Sequence, residues 1–376
     1  MKKVGILTIT DGTNYGNRLQ NYAIQKIIES MGFNVETIQR RTNRDKTGIH
    51  RLKADIKYMV KRVIGRPCDS EQRKRKKRFN EFNKNYVSFS LEILHDNIAP
   101  LNLAEKYDYF VVGSDQVWNA RIDIVRQDII NYLATFAYPE QKIAYAASFG
   151  TDDVLPEFQN LYKRELSTYK AISVRESSGV SIVKNICGRD DVETVLDPTM
   201  MLTAEEWIKL EQKPQYADNQ KFILTYFLGG RNQVTCSYIE EVAKSYNAKI
   251  INLEAEFLRD DQIENNLFFE TTPDEFLWLI HHAECVLTDS FHATVFAILF
   301  HKPFCTFERQ AVEKGNSMGG RIETLLGKFG LQKYYNSIDE SRQMPDEYEQ
   351  RHIESILQKE RELSKNFLRK ALEIKA

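Results

Sequence analysis

Short apolar runs and amphipathic segments alternate along most of this chain. Lys3 to Thr10 reads as a buried strand, and Asn17 to Met31 carries apolar positions at helical spacing. Gly32-Phe33-Asn34 turns the chain into a second apolar run, Val35 to Ile38, completing a strand–helix–strand unit. Further strands are expected at Tyr107 to Val112 and Ile143 to Ser148, followed by a charged helix from Pro156 to Thr168. The pattern then restarts. Ala171 to Val174 reads as a strand with a helix running to Asn185, Val192 to Leu196 as a strand, and Phe222 to Leu228 as a strand before the helix Val234 to Tyr246. Ile250 to Leu253 is another strand and Pro273 to His282 another helix. Ala293 to Phe300 is apolar all round apart from Thr294, so this helix is expected to be buried, not amphipathic. The end of the chain, Asp346 to Ala376, reads as a helix with Ile353, Leu357, Phe367 and Leu368 among its apolar positions.

Strand and helix alternating throughout predicts an α/β protein of two Rossmann-like parallel-sheet domains facing a cleft. The expected boundaries are residues 1–165 for the N-terminal domain, 166–345 for the C-terminal domain and 346–376 for a helix packing back on the first. The Pro156–Thr168 helix is the expected bridge.

A length of 376 residues, 42% hydrophobic and 28% charged, supplies core for two domains of ordinary size. Fifty-two basic against fifty-three acidic residues give a net charge of -1, which argues against nucleic acid as the main partner. The five cysteines are scattered, with no Cys-x-x-Cys pair, and read as reduced thiols of a cytosolic protein. No apolar run approaches a bilayer span, so a soluble protein with at most peripheral membrane contact is expected. The basic run Arg73 to Arg78 lies inside an expected helix. Such a run is usually a solvated face; the other reading is a patch meeting acidic lipid headgroups at the inner membrane face, or a lipid-linked diphosphate.

Polar groups concentrate at three strand ends. The first loop offers Asp11, Asn14, Tyr15, Asn17, Arg18 and Gln20 beside Gly12 and Gly16. It matches neither Gly-x-Gly-x-x-Gly nor a Walker loop, and reads as a ligand loop or as a polar loop with helix caps. In the second, Gly113 to Asn119, Asp115 is a candidate general base and Trp118 a candidate platform for a sugar face. The third, Thr288 to His292, places Asp289 or Ser290 at a helix N-cap and His292 in the first turn. It reads either as a capped core helix or as an anion site. His281-His282 reads as helix surface or core, and no ligand spacing points to a metal.

Five segments together resemble the bacterial polysaccharide pyruvyl transferase family: Asp11 to Ala23, Val111 to Asn119, Ile172 to Glu176, Val195 to Thr199 and Thr288 to Ala293. Their order and spacing match over residues 3 to 330. The resemblance implies a fold similar to two-domain GT-B glycosyltransferases, with acceptor on the first domain and donor on the second. It also implies transfer of a pyruvyl group from phosphoenolpyruvate to two sugar hydroxyls, giving a cyclic ketal during capsule, exopolysaccharide or cell-wall glycan assembly. No other cofactor is implied.

In that family an arginine after a second-domain strand and a histidine at a helix start hold phosphoenolpyruvate, and they fall on Arg175 and His292. Many members carry Ser-Arg-Leu-His at the corner; here Ser290 and Phe291 precede His292, and the arginine is missing. Arg321 is the candidate replacement. A donor with a carboxylate and a phosphate needs about two cationic groups plus amides. Ketal formation needs an acid for the methylene carbon and a base for the acceptor hydroxyl. His292 is the candidate acid with Asp289 as its partner, and Asp11 or Asp115 the candidate base. A nucleotide-sugar glycosyltransferase and a non-catalytic sugar-binding relative are the alternatives.

Overall fold

The apolar runs of the N-terminal half assemble edge to edge into one parallel sheet of seven strands. Its strands are β1 (Lys3–Leu7), β2 (Asn34–Arg41), β3 (Phe89–His95), β4 (Tyr109–Val112), β5 (Lys142–Ala147), β6 (Ala171–Val174) and β7 (Glu193–Thr194), in the order 3-2-1-4-5-6-7. A second parallel sheet holds β8 (Phe222–Phe227), β9 (Lys249–Glu254), β10 (Val286–Thr288), β11 (Phe304–Phe307) and β12 (Tyr335–Asn336), in the order 12-11-10-8-9. The computed structural model describes residues 1–10, 12–41, 70–254, 266–309, 319–336 and 344–374. Both sheets are doubly wound α/β, as expected. Strand order reverses between β1 and β4 in the first and between β8 and β10 in the second. Open α/β sheets bind ligands outside the carboxyl ends of such strands.

The division between the sheets departs from the expected boundary at residue 165. β6 pairs with β5 (Ile143 beside Ala171) and β7 with β6 (Ser173 beside Glu193), so the first sheet runs on to residue 194. The edge of β5 has unpaired amides to satisfy, and the nearest following strand takes them. The helix Gln159–Leu166 is therefore a crossover within the first sheet and not a bridge.

The principal helices are α1 (Tyr15–Ser30), α2 (Ser70–Tyr86), α3 (Ser177–Cys187), α4 (Gln233–Ser245), α5 (Pro273–His282), α6 (Phe291–Leu299), α7 (Gly319–Phe329) and α8 (Gln350–Ala371). All nine residues of α6 are buried, as its all-apolar sequence requires. α8 returns to the first sheet. There its Ser364 hydroxyl accepts from the Leu196 amide and Phe367 meets the Tyr145 ring at 6.3 Å. No helix among the described residues is long and apolar enough to cross a membrane.

One apolar cluster crosses from sheet to sheet, taking in Val4 and Leu19 on one side and Phe276 and Phe296 on the other. Tyr15, fully buried at the start of α1, stacks on Phe276 of α5 with ring centroids 4.4 Å apart. Its hydroxyl donates to the Phe268 carbonyl at 3.2 Å. Next to it, Gly16 leaves room for the facing domain. A Cβ there would stand 2.1 Å from Nδ1 of His292. Any side chain at position 16 would push the histidine aside.

The basic run is not uniformly solvated. Arg73, Lys74, Lys76 and Lys77 are exposed, but Arg75 turns inward at 2% exposure. Its guanidinium donates to the carbonyls of Thr13 and Phe268 and to the Tyr15 hydroxyl, and lies 3.6 Å from the Phe268 ring centroid. It thereby ties α2 to both sheets. Removing it strands several buried acceptors, each worth about 1–3 kcal/mol. Arg75→Ala is expected to destabilise the fold by about 3 kcal/mol or more in denaturant melts, with Lys74→Ala within about 0.5 kcal/mol of wild type. Equal effects of the two would contradict the pinning role.

Candidate functional site

The carboxyl ends of the two sheets meet around a buried cluster of charge. Asp197 follows β7 and caps the short helix Pro198–Met201, taking the Thr199 amide at 3.0 Å and its hydroxyl at 2.6 Å. Its other oxygen accepts from Arg175 at 2.6 Å and from Ser114 at 2.9 Å. Arg175 stands at the end of β6, and its second arm reaches Asp115 at 3.5 Å. Asp115 has a left-handed backbone (φ 71), tolerated by aspartate, and also accepts from Asn17 at 2.7 Å. From the second sheet, α6 brings His292, whose Nε2 lies 3.8 Å from Asp197. Phe291, beside it, lies under the guanidinium of Arg175 at 4.3 Å and that of Arg321 at 6.0 Å.

Burial sets the protonation of these groups, and charge corrects it. Desolvation opposes ionisation of Asp197, but His292, Arg175 and the Thr199 bonds outweigh it and hold the carboxyl at about 2. Burial likewise works against the charge on Arg175; Asp197, Asp115 and Glu176 overcome it and raise its pKa. His292 is pushed below the ordinary histidine value by burial, against the pull of Asp197 and Asp115. Arg321 is driven down to about 9 by burial and by the Arg175 charge. Three groups with cationic forms thus share one dry pocket. Arg175 Nε and His292 Nε2 are buried with no hydrogen-bond partner among the described residues. Both are polar atoms available to an incoming anion.

The sequence of this arrangement decides its family. The profile of polysaccharide pyruvyl transferases matches residues 14–310, a span holding all the groups just described except Arg321. The chain belongs to the polysaccharide pyruvyl transferase family. No curated protein matches it in sequence. Among solved structures it is similar in fold to a UDP-GlcNAc 2-epimerase from Neisseria meningitidis, at 12% identity, 98% and 100% coverage of the two chains and TM-score 0.44. The S. aureus MnaA–UDP structure gives 11%, 100% and 98%, and 0.46; Acinetobacter baumannii MurG gives 10%, 100% and 95%, and 0.38.

In this pyruvyl transferase family member the structure brings together His292, Arg175, Asp115, Asn17 and Arg321. Arg321 sits in the first turn of α7. Arg175 belongs to the first sheet, not to a second-domain strand. Ser290 is the N-cap of α6.

Other candidates have scaffolding roles. Asp289 does not partner His292: its carboxylate accepts the Leu228 and Gly229 amides at 2.7 and 2.6 Å and faces Arg309 at 3.4 Å. It locks the turn after β8, and burial raises its pKa. Asn14 caps α1, Gln20 bonds Thr8 and the Ser114 amide, and Arg18 donates to the carbonyls of Thr10 and Gly12. Tyr15 is the interdomain stack already described. Trp118 is 1% exposed, donates to the Tyr132 carbonyl and packs on Phe149, so it has no face to offer a sugar. Its indole is large and apolar enough to be claimed by the core first. Asp11 lies outside the described residues. His281 pairs with Glu211 at 2.8 Å, and His282 turns to the Trp278 carbonyl.

Asp197, Ser114 and Glu176 were not singled out from sequence. Asp197 had a signal, an Asp-Pro closing a strand, but that also reads as an ordinary helix cap. Glu176 binds the Phe149 and Gly150 amides through one oxygen while its other is buried without a hydrogen-bond partner among the described residues.

The pair at Asp197 gives a pH-dependent expectation. Its carboxyl is depressed from 3.8 to about 2, so its stabilisation is complete above about pH 4 and lost as pH falls toward 2. Asp197→Asn should cost roughly 2–4 kcal/mol at neutral pH, with the deficit shrinking over that acid window. It should also lower the His292 pKa further in an imidazole NMR titration. A raised His292 pKa in the variant would count against this electrostatic account.

Proposed function

We propose that this protein transfers the pyruvyl group of phosphoenolpyruvate to two hydroxyls of a sugar, forming a cyclic ketal on a glycan or its precursor. The observation that carries the reading is the meeting of Arg175, His292 and Arg321 at one buried point between the sheets. Two guanidiniums answer the two anionic ends of the donor. Arg321 thereby replaces the arginine that the corner lacks, reaching the site from α7 across the Phe291 ring.

Binding a multiply charged anion beside His292 raises the histidine's pKa and charges it. The imidazolium then protonates the methylene carbon of the donor, leaving an electrophilic centre at its neighbour. Asp115, held by Asn17, accepts the proton of the first attacking hydroxyl. Inorganic phosphate then leaves with the proton held by Asp115, and attack by the second hydroxyl, whose proton returns to the now neutral His292, closes the ketal. Asp197 keeps Arg175 and His292 in position throughout. We take the exposed cations of α2 (Arg73, Lys74, Lys76 and Lys77) to favour a lipid-diphosphate-linked acceptor presented at the inner membrane face.

Phosphoenolpyruvate should raise the melting temperature of the wild type by several degrees. Arg175→Ala and His292→Ala should abolish that rise, and Arg321→Ala should weaken donor affinity by about tenfold or more. Stabilisation by a nucleoside diphosphate with none from phosphoenolpyruvate would point to nucleotide-sugar chemistry and sink the proposal.

A further inference from the structure

A second cavity, of about 740 Å³, lies between α1, α8, the last residue of α2 and the segment from Met201 to Leu210. One part of its wall is apolar: Tyr22, Ile27, Tyr86 and Leu210. The other carries five cations, Lys26, Lys209, Arg361, Lys365 and Arg369, against one carboxylate, Glu206. Not all five are available. Lys26 pairs with Glu29 at 2.8 Å, and Arg369 with Glu362 at 2.9 Å. The Glu206 carboxylate accepts the Thr203 amide in a helix cap.

Lys209, Arg361 and Lys365 are different. None has a carboxylate within 4.0 Å among the described residues. Arg361 is half-buried and fixed, donating to the carbonyls of Met200 at 2.7 Å and Leu202 at 2.9 Å. Burial lowers its pKa against the pull of more distant Glu354, Glu206 and Glu205. A rigid guanidinium and two lysines beside a partly apolar wall leave positive charge in excess of the single lining carboxylate. A guanidinium already immobilised loses little conformational entropy when a ligand arrives.

We propose that this cavity binds an anionic amphiphile, a phosphate-bearing head on a hydrocarbon tail. The head meets Lys209, Arg361 and Lys365, and the tail lies on Tyr22, Ile27, Tyr86 and Leu210. Three cations suit a multiply charged phosphate better than a single carboxylate. The volume is that of a small-molecule site. The site is separate from the donor pocket, and the proposal does not depend on pyruvyl transfer.

The test uses the full-length protein with three probes: dodecyl phosphate below its micelle concentration, inorganic diphosphate and dodecyl maltoside. Calorimetry should show one saturable site for dodecyl phosphate, weakened about tenfold or more in Lys209→Ala/Lys365→Ala. Diphosphate and maltoside should each bind this site at least about tenfold more weakly than dodecyl phosphate. The difference between wild type and double variant isolates this cavity from the donor pocket, because neither lysine belongs to the latter. Equal dodecyl phosphate affinity in wild type and variant would overturn the proposal. Diphosphate binding that is lost in the variant and as tight as dodecyl phosphate would also overturn it, by showing a site for a soluble phosphate.

Discussion

Asp197 is the group on which the arrangement between the sheets depends. It is fully buried, bonded by Arg175, Ser114 and Thr199, and within 3.8 Å of His292 from the opposite sheet. Each buried ion costs several kcal/mol to desolvate, and such a cost is offset only when its hydrogen bonds are completed. Asp197 completes its own with four donors. Arg175 and His292 do not, and each keeps a polar atom without a hydrogen-bond partner among the described residues. That asymmetry fixes the carboxylate and leaves one guanidinium nitrogen and one imidazole nitrogen oriented but unsatisfied among the described residues, a geometry suited to an anion.

The fold explains why these residues can meet. In each sheet the strand order reverses at the point where a polar turn emerges, and segments from the two reversals meet where Gly16, after β1, abuts His292, after β10. The apolar cluster spanning both sheets holds them in contact, so the charges are dry. Tyr15, Gly16 and Arg75 set how close that contact is. Gly16 matters because nothing larger than hydrogen fits beside His292. The C-terminal helix adds a brace: Ser364 and Arg361 hold the backbone on either side of Asp197, at Leu196, Met200 and Leu202.

Much of this was legible in the residues themselves. Alternation of period and run length predicted most of the strands, though not β3 or the two-residue β12, and the all-apolar sequence of Ala293 to Phe300 predicted a buried helix. The corner at His292 stood out because a titratable group at a helix start has few structural excuses, whereas Arg175 was reached only through the family resemblance; the structure brings both to Asp197. What could not be read was partnership. Asp289 stands three residues from His292 in sequence, yet the amides of Leu228 and Gly229 claim its carboxylate. Asp197 is ninety-five residues away and takes the role instead. Trp118 and Tyr15 looked like ligand groups because aromatics serve both sugars and cores, and burial alone separates the two uses. The domain boundary failed for a related reason: strand periodicity does not say which sheet a strand joins.

The most direct test is a structure with phosphoenolpyruvate bound. One anionic end of the donor should lie within hydrogen-bond distance of Arg175 Nε and His292 Nε2, with Arg321 turned to the other end across Phe291. Donor density elsewhere, for example on the Gly229–Arg231 turn at the end of β8 with Arg175 and His292 unmoved, would contradict the account.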